Sequence, residues 1–365
     1  MRAAIVGGGL AGSLLAWRLA RVAPTWDIDL IREPSPADAT AASGGAVRAY
    51  EAEAQQRQLA IDSLLELRAS PILRRWAGYR ELEAVYVPEH PAGVGAAVEQ
   101  IGQALPDSVR TVAAPDFATL GWAQHPGDVL AVVERRAGRI SPSQLRHAVL
   151  ADAPVRRGVR IIARPLRSVA DHAGEPIGCT LAGPIERRYD VVVVAAGAWT
   201  GQLLAASGWP ADAYRTKAIQ YALYPVRGWR PSQFVDEPNG LYGLPVDDGA
   251  LLLGVPTRRW GVDPDRPGRT LELAGQAARL AEARFPRLRL GPPQRIVGAA
   301  DCYVAGSVLA LRPVSGSAGR LYTFTGGSGG AAKTALAASQ RAATELVDAT
   351  ALPELAPTGL REVTP

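Results

Sequence analysis

The order of apolar and polar positions at the start of the chain predicts a strand, a tight turn and a helix. Residues 3–6 form a short apolar run, and residues 13–22 carry apolar side chains at the spacing of one helix face. Asp27–Ile31 is a second short apolar run. A strand, a helix and a strand in this order predict a βαβ unit at the start of a domain.

Further along the chain the pattern alternates between helical and strand-like segments. Residues 189–196 (YDVVVVAA) form a continuous apolar run of the kind that buried parallel strands show. Between residues 221 and 255 the runs are shorter and include the hairpin-like VDDGALLLG, which is typical of an antiparallel sheet. The other predicted elements are helices at residues 52–76, from 141 onwards and at 269–285, and strands at residues 82–87 and 159–162.

The segments with the dinucleotide-binding pattern come from the start, the middle and the end of the chain. We therefore predict an α/β (α+β) fold, in which residues 1–80, 140–205 and 298–350 form a discontinuous Rossmann-like domain. Residues 81–139 and 206–297 would form an inserted, mainly antiparallel-sheet substrate domain. Residues 351–365 would form a C-terminal tail.

Composition narrows the classes of partner. A chain of 365 residues with 47% apolar content can bury a large core. Its net charge is +5, and the charged residues are scattered along the sequence. Because the chain contains no block of like charges and no long apolar run, the sequence predicts neither nucleic-acid binding nor a membrane span.

Cys179 and Cys302 match no metal or disulfide spacing, and the first apolar run is interrupted by glycines, unlike a secretory signal. Both observations favour a cytoplasmic location.

The turn after the first strand has the spacing Gly7-x-Gly9-x-x-Gly12. In dinucleotide-binding folds the first glycine allows the turn, the second lets the backbone approach a pyrophosphate, and the third allows close packing of helix and strand. Leu10 and Ala11 lie within this turn, just before the predicted helix, and are further candidates for contact with the cofactor. The turn therefore predicts a dinucleotide site.

The ribose position at the end of the second strand is ambiguous. Arg32 follows the apolar run directly, and Glu33 comes next. An acidic residue there binds ribose hydroxyls, whereas an arginine meets a 2′-phosphate. Both interpretations stay open on these residues alone.

A second glycine-rich loop, TGGSGGAAKT at residues 325–334, lies near the end of the chain. It is close to the P-loop pattern, but Ala332 replaces the last glycine, and too few residues follow it for further strand–helix units. A predicted strand and helix flank the loop, so it is not a flexible joint. Lys333, one of only two lysines in the chain, lies at its end.

Three motifs resemble one family in the same order along the chain. They are YDVVVVAAGAWT at residues 189–200, GLYGLP at residues 240–245 and GGSGGAAK at residues 326–333. The sequence is similar over essentially its whole length to the family that includes D-amino acid oxidase, glycine oxidase and monomeric sarcosine oxidase. The resemblance implies FAD as the cofactor and favours Glu33 over Arg32 at the ribose.

The resemblance also implies which residues lie along FAD. Ala42, Ser43 and Gly44 would pass the flavin ring and pyrophosphate, Leu166 would lie near the adenine, and Ala196 and Gly197 would follow a strand that approaches FAD. The loop with Gly327, Gly329, Gly330, Ala331, Ala332 and Lys333 would place backbone N–H groups against the flavin. Cys302 lies near the position of a thioether link to FAD, so a covalent flavin is a hypothesis.

On the substrate side, the resemblance implies that Lys333 faces a substrate carboxylate, with Arg48 beside the flavin and Tyr242 in the active site. The second arginine of that carboxylate clamp falls on Glu51, so this chain lacks the second cation that the resemblance would imply. The oxygen-activating lysine falls on Leu252, and a nearby histidine falls on Pro256. These differences leave dehydrogenase chemistry, or oxidation of an atypical amine, open beside oxidase chemistry.

The sequence thus predicts an enzyme that uses FAD to oxidise a C–N bond of an amino acid or other amine to an imine, by hydride transfer to the flavin. Its substrate would be a small molecule, free or bound to a carrier or peptide. One alternative is a flavin monooxygenase, although that class has an Asp-Gly pattern where this chain has Ala196-Gly197. Another is a maturation flavoprotein that acts on a protein- or carrier-bound amine.

Overall fold

The computed structural model describes residues 1–33, 38–125, 127, 129–171, 175–183, 185–246 and 249–351. Its α-helices are α1 (Leu10–Val22), α2 (Ala39–Ala42), α3 (Ala54–Ala69), α4 (Pro71–Ala77), α5 (Val94–Ala104), α6 (Pro142–Arg157), α7 (Thr200–Ala206), α8 (Leu271–Arg284) and α9 (Ala331–Ala351). Short 3₁₀ helices span Ala114–Leu120, Gly197–Trp199 and Ser328–Gly330.

The strands of the first half are β1 (Arg2–Val6), β2 (Asp27–Ile31), β3 (Ala46–Val47), β4 (Arg80–Glu81), β5 (Ala84–Val87), β6 (Val109–Ala113), β7 (Leu130–Glu134), β8 (Gly138–Arg139), β9 (Arg160–Ile162) and β10 (Leu166–Ala170). Those of the second half are β11 (Ile177–Leu181), β12 (Ile185–Tyr189), β13 (Val191–Val194), β14 (Arg215–Pro225), β15 (Gln233–Asp236), β16 (Leu241–Pro245), β17 (Ala250–Gly254), β18 (Arg295–Tyr303), β19 (Ala310–Pro313) and β20 (Leu321–Thr325).

A six-stranded sheet in the order β19-β20-β13-β1-β2-β9 forms the first layer. All neighbouring pairs are parallel except β19 with β20. Helices α1, α3, α6 and α9 cover one face, and the small antiparallel sheet β10-β11-β12 covers the other. Because both faces are buried, the central strands are apolar throughout, as in Val191–Val194.

An eight-stranded sheet in the order β18-β14-β17-β16-β15-β5-β7-β6 forms the second layer. Its neighbours are antiparallel, apart from the parallel pair β15 and β5. Helix α8 packs on this sheet through Ala274, Ala277 and Ala281, which meet a core that includes Phe234 and Leu253. The mixed α/β class and the Rossmann-like first layer predicted above are confirmed.

Three predicted segments differ in detail. Residues 52–76 form two helices rather than one, because Ser70 ends α3 and caps α4, with Pro71 in the first turn. The run 189–196 is divided at Asp190, whose carboxylate accepts the Arg2 N–H over 2.7 Å. The boundary placed at residue 298 falls inside β18, so residues 298–303 belong to the eight-stranded sheet.

Two predictions reach residues that the structure does not describe. The tip of the hairpin, residues 247 and 248, lies outside the described residues, although β16 and β17 on either side of it pair antiparallel. Of the predicted tail, residues 352–365 also lie outside them. The division into two domains stays a prediction. None of the helices in the described part of the chain is long and apolar enough to cross a membrane.

Candidate active site

A cavity of about 710 Å³ lies between the two large sheets. It opens at the carboxyl ends of β1, β2 and β13, where doubly wound sheets bind their ligands. On the opposite side its wall is formed by β18 and by the start of α9. The principal lining segments are residues 6–11, 31–33, 195–199, 300–302 and 324–327, with Ala331, Ala332 and Ala335.

The glycines of the first turn allow close packing around this cavity. A Cβ atom on Gly7 would lie 2.2 Å from the carbonyl oxygen of Ala195, and one on Gly12 would lie 2.0 Å from the oxygen of Gly7. Gly7 also has a φ of +123°, a backbone conformation that residues other than glycine rarely adopt. Gly7 and Gly9 both line the cavity, and a Cβ on Gly9 would lie 3.4 Å from Oγ1 of Thr40. The turn therefore brings bare backbone to the cavity wall, as close approach to a pyrophosphate requires.

Most of the residues predicted to lie along a cofactor line this one cavity. They are Gly7, Gly9, Leu10, Ala11, Arg32, Glu33, Ser43, Leu166, Ala196, Gly197, Cys302, Gly327, Ala331 and Ala332. The predicted residues that do not line it are Gly12, Ala42, Gly44, Gly329, Gly330, Lys333, Arg48 and Tyr242. Which of them touch a ligand stays a prediction.

Several residues outside the lining hold its walls in place. A Cβ on Gly44 would lie 2.9 Å from Leu252, so Gly44 lets the segment after α2 pack against β17. A Cβ on Gly330 would lie 2.8 Å from the Nζ atom of Lys333. This contact shows that the lysine side chain folds back over its own loop.

Arg48, Glu51 and Lys333 form one buried cluster. The Glu51 Oε1 atom lies 2.7 Å from Nζ of Lys333 and 3.1 Å from Nη2 of Arg48, and all three side chains are at most 12% exposed. Burial opposes ionisation of Glu51, but Lys333 and Arg48 outweigh it and lower the pKa of the carboxyl. Burial also lowers the pKa of Lys333, and the positive charge of Arg48 adds to this effect.

A second buried carboxyl group, Glu134 on β7, binds the backbone between Arg48 and Glu51. It accepts the backbone N–H groups of Ala49 and Tyr50 over 2.8 and 2.9 Å. Burial raises the pKa of Glu134, whereas these two hydrogen bonds and Arg48 favour its charged form. The guanidinium of Arg48 also lies 4.8 Å from the centre of the Tyr86 ring. The short chain segment that carries Arg48 is therefore held at both its backbone and its side chain.

The side chain of Tyr242 contacts neighbouring strands of the second sheet. Its hydroxyl donates to the carbonyl oxygen of Gln220 over 2.9 Å, and its ring covers Gly254, where a Cβ would lie 2.2 Å from the hydroxyl oxygen. Burial raises the pKa of Tyr242. The hydroxyl therefore stays protonated, with its proton donated to backbone.

Asp301 is a cavity-lining residue that the sequence motifs missed. It is 7% exposed, and its Oδ2 atom has no hydrogen-bond partner among the described residues. Burial raises the pKa of Asp301 to about 6, although Lys217, its partner in the β14–β18 register, opposes this. An acidic residue inside an apolar strand (GAADCYV) was the available sequence signal.

Cys302 follows Asp301 on β18 and also lines the cavity. Burial raises the pKa of its thiol, so the reactive thiolate is disfavoured in this environment. Cys302 therefore lines the cavity, as a covalent link to the cofactor requires, but its surroundings do not favour the reactive thiolate. The covalent link stays a hypothesis.

A family model described as FAD dependent oxidoreductase matches residues 2–345. The chain belongs to this family. The resemblance stated from the sequence motifs is thereby confirmed, and FAD is the cofactor. No curated protein matches the chain in sequence.

Solved structures share this FAD-dependent oxidoreductase fold at low sequence identity. Iminodiacetate oxidase from Chelativorans sp. BNC1 is 19% identical with a TM-score of 0.72, over 98% of this chain and 97% of that one. Glycine oxidase from Geobacillus kaustophilus is 17% identical with a TM-score of 0.75, over 95% of each chain. L-alpha-glycerophosphate oxidase from Mycoplasma pneumoniae with FAD bound is 16% identical, with a TM-score of 0.75, over 95% and 94%.

The residues around the cavity fit FAD. At one end, beside the first glycine turn, the lining includes Arg32, Arg164 and Arg167, which can balance phosphate charge. The lining also includes small residues of the second glycine loop and of α9, namely Gly326, Gly327, Ala331, Ala332 and Ala335, which leave backbone accessible from the cavity. These backbone segments could hold the pyrophosphate and the flavin respectively.

Proposed function

We propose that this FAD-dependent oxidoreductase oxidises a C–N bond of an amine to an imine. The observation that carries the proposal is that α9 begins at the cavity wall, with Ala331 and Ala332 lining it and the glycine loop before them. The positive end of a helix stabilises negative charge nearby, as a reduced flavin requires. Two structural neighbours, iminodiacetate oxidase and glycine oxidase, are named for the oxidation of amines.

The proposed reaction balances without a further reagent. The C–H bond next to nitrogen breaks, a hydride leaves with its electron pair, the nitrogen lone pair forms the C=N bond, and one proton is released from nitrogen. FAD supplies the hydride acceptor. The chain's own contribution is to orient the amine in the cavity between the sheets and to exclude water from it.

The proposal extends to the electron acceptor. Leu252, at the position of the oxygen-activating lysine in the resemblance, is buried and packs against Gly44. Pro256 provides no cation either. We expect the reduced enzyme to react slowly with oxygen and to pass its electrons to another acceptor.

The two-domain division belongs to the same proposal. The six-stranded sheet would hold FAD, and the eight-stranded sheet, including all of β18, would cover the substrate side. A small-molecule amine would reach the flavin between them. The cytoplasmic location predicted from cysteine usage remains part of the proposal as well.

Anaerobic reduction of the yellow holoenzyme tests this function. Bleaching of the flavin by at least one member of a panel of amino acids, N-methylated amines and amino amides is the expected result. Bleaching by NADPH alone would instead indicate a monooxygenase, and bleaching by glycerophosphate alone an alcohol oxidase. If only a peptide- or carrier-bound amine bleaches the flavin, the protein is a maturation flavoprotein.

Acid precipitation of the holoenzyme tests the covalent hypothesis separately. A link through Cys302 predicts flavin in the precipitate of the unmodified protein and in the supernatant of Cys302→Ala. Flavin in the supernatant of both would exclude the link, and flavin in both precipitates would exclude Cys302 as its site.

A further inference from the structure

Asp301 places a buried carboxyl group in the wall of the cavity. The residue is 7% exposed and lines the cavity, and its Oδ2 atom has no hydrogen-bond partner among the described residues. Burial removes the water that would solvate such an oxygen, so an unpaired carboxyl group there destabilises the folded chain. Because buried polar groups in folded proteins are almost always paired, this oxygen indicates a partner that arrives with a ligand.

Asp301 lies on the face of the eight-stranded sheet that is turned away from α8. Side chains alternate between the two faces along a strand, and Ile296 of β18 packs in the core beneath α8. Asp301 is an odd number of positions further along β18, so its side chain projects from the opposite face. Leu252 of β17, whose two chain neighbours belong to that core, lies on the opposite face too and meets the Gly44 segment. This face therefore meets the first layer, and a substrate held between the sheets contacts it.

The cation beside Asp301 does not occupy this oxygen. Lys217 is the cross-strand partner of Asp301 on β14. Its Nζ atom lies 4.9 Å from the centre of the Trp260 ring and 5.5 Å from that of Tyr303, so it makes cation–π contacts and does not donate to Oδ2. Burial raises the pKa of Asp301, whereas the positive charge of Lys217 opposes this rise and favours the carboxylate.

The other groups around Asp301 leave Oδ2 unpaired within the described part of the chain. The hydroxyl of Tyr242 donates to the carbonyl oxygen of Gln220 over 2.9 Å. The second glycine loop approaches as well, since a Cβ on Gly329 would lie 3.4 Å from Oδ2. The arginines of the cavity lining belong to other segments, after β2 or around β10: Arg32, Arg164 and Arg167.

A protonated amine supplies what this oxygen lacks. Its N–H groups are hydrogen-bond donors, and its positive charge strengthens the bond to a carboxylate in a site that little water screens. A neutral hydroxyl or amide donor would provide the hydrogen bond without the charge. The wall of the cavity at β18 is therefore suited to an ammonium group.

We propose that Asp301 binds the substrate through its amine nitrogen, which enters the cavity as an ammonium cation. The substrate class is then an aliphatic amine basic enough to be protonated at neutral pH, rather than an aromatic amine or an amide. The proton that nitrogen must release can pass to the same carboxylate, while the electron pair of the broken N–H bond stays on nitrogen. This inference rests on the proposed amine oxidation, and it makes Asp301 a specificity-determining residue.

Ligand binding to the holoenzyme tests the inference without turnover. The probes are tert-butylamine, which has no C–H bond on the carbon next to nitrogen and cannot be oxidised, and tert-butanol, its neutral match in shape. Binding is followed by saturation-transfer NMR on the methyl protons, at about pH 8, where the ammonium and the carboxylate are both charged. The unmodified enzyme is expected to bind the ammonium at least about tenfold more tightly than the alcohol.

Asp301→Asn should abolish this preference, because it keeps the shape of the side chain and removes its charge. We expect its affinity for the ammonium to fall about tenfold or more, with the affinity for the alcohol changed less than about twofold. Asp116→Asn is the matched control, since it removes the same charge from an exposed position in the short helix Ala114–Leu120, and it should leave both affinities unchanged.

Three results would overturn the inference. One is an unmodified enzyme that binds the alcohol as tightly as the ammonium, which can be measured even if Asp301→Asn fails to fold. Another is a folded Asp301→Asn variant that keeps the preference for the ammonium. The third is an Asp301→Asn variant that no longer binds FAD, which would assign the carboxyl group to the cofactor.

A failure of the proposed amine oxidation gives a different result. In that case no amine of the reduction panel bleaches the flavin, whereas tert-butylamine binding and its dependence on Asp301 are measured without any reduction of the flavin.

Discussion

At the residue scale, the first turn is limited by backbone contacts that leave no room for a side chain. Gly12 does not line the cavity, yet a Cβ there would overlap the oxygen of Gly7. The sequence motif predicted this packing role correctly, since the third glycine of the pattern serves helix–strand contact. The motif could not predict the ion pair between Glu51 and Lys333. The two residues are far apart along the chain and meet only when α3 packs on α9.

Gly12→Ala should therefore reduce FAD binding, because the turn must shift to relieve the contact with Gly7. We expect at least a tenfold weaker affinity of the apoprotein for FAD, measured by quenching of flavin fluorescence. Gly95→Ala is the control, as that helical glycine has open space at its Cβ position and should bind FAD normally. Normal FAD affinity in Gly12→Ala would contradict the geometry of the turn.

Asp301 should make the stability of the apoprotein depend on pH. Its pKa is raised from 3.8 to about 6, so between these values the folded chain holds a proton that the unfolded chain has lost. Stability contributed by this group is therefore present at low pH and falls as pH rises through 6. Asp301→Asn removes the effect.

The expected result is a stability advantage of Asp301→Asn that grows between about pH 4 and 6 and levels off above. Its upper limit is about 3 kcal/mol, since one pKa unit corresponds to about 1.4 kcal/mol. Urea unfolding of both apoproteins across this pH range measures it. A constant difference between the two proteins at every pH would show that the carboxyl does not titrate in the cavity wall.

At the element scale, β7 shapes the active site without lining it. Its last residue, Glu134, holds the backbone of Ala49 and Tyr50, and so fixes the segment that carries Arg48 and Glu51. Sequence patterns predicted the helical stretch at residues 52–76 and the strand at residues 82–87, but they predicted no element between residues 88 and 140, so β7 itself was missed. They could not locate this support, which depends on a hydrogen bond between distant parts of the chain.

Glu134→Ala should destabilise the protein and loosen that segment, because two buried N–H groups lose their acceptor. Each unpaired buried group costs about 1–3 kcal/mol, so a loss of about 2–6 kcal/mol in the free energy of unfolding is expected. Glu134→Gln, which retains an acceptor oxygen, should lose less. Equal losses in the two variants, measured by urea unfolding, would point to charge rather than hydrogen bonding as the function of Glu134.

At the scale of the whole molecule, two sheets from interleaved parts of the chain enclose one cavity. The interleaving was predictable, because the patterns typical of buried parallel strands occur at the start, at residues 189–196 and at the end of the chain, and segments of a different pattern lie between them. The position of β18 was not, since its apolar residues suit either sheet. Pairing with β14 assigns the strand to the second sheet, and that pairing brings Asp301 and Cys302 to the cavity.

A cofactor held between both sheets should stabilise them together. With free FAD at about a hundred times its dissociation constant, the free energy of unfolding should rise by about 2.7 kcal/mol. Thermal unfolding followed by circular dichroism, with and without added FAD, measures this rise. Gly12→Ala should gain less at the same FAD concentration. An apoprotein that unfolds at an unchanged temperature when FAD is added would contradict a site between the sheets.

The central claim is that the residues around this cavity would hold FAD and that the holoenzyme oxidises the C–N bond of an amine to an imine. The most direct measurement is anaerobic titration of the holoenzyme with an amine that reduces it, combined with identification of the product. The account predicts loss of the flavin's visible absorption at one amine per flavin, with one carbonyl compound and one free amine formed as the imine hydrolyses. Full reduction with no carbonyl product, or reduction by alcohols but by no amine, would contradict it.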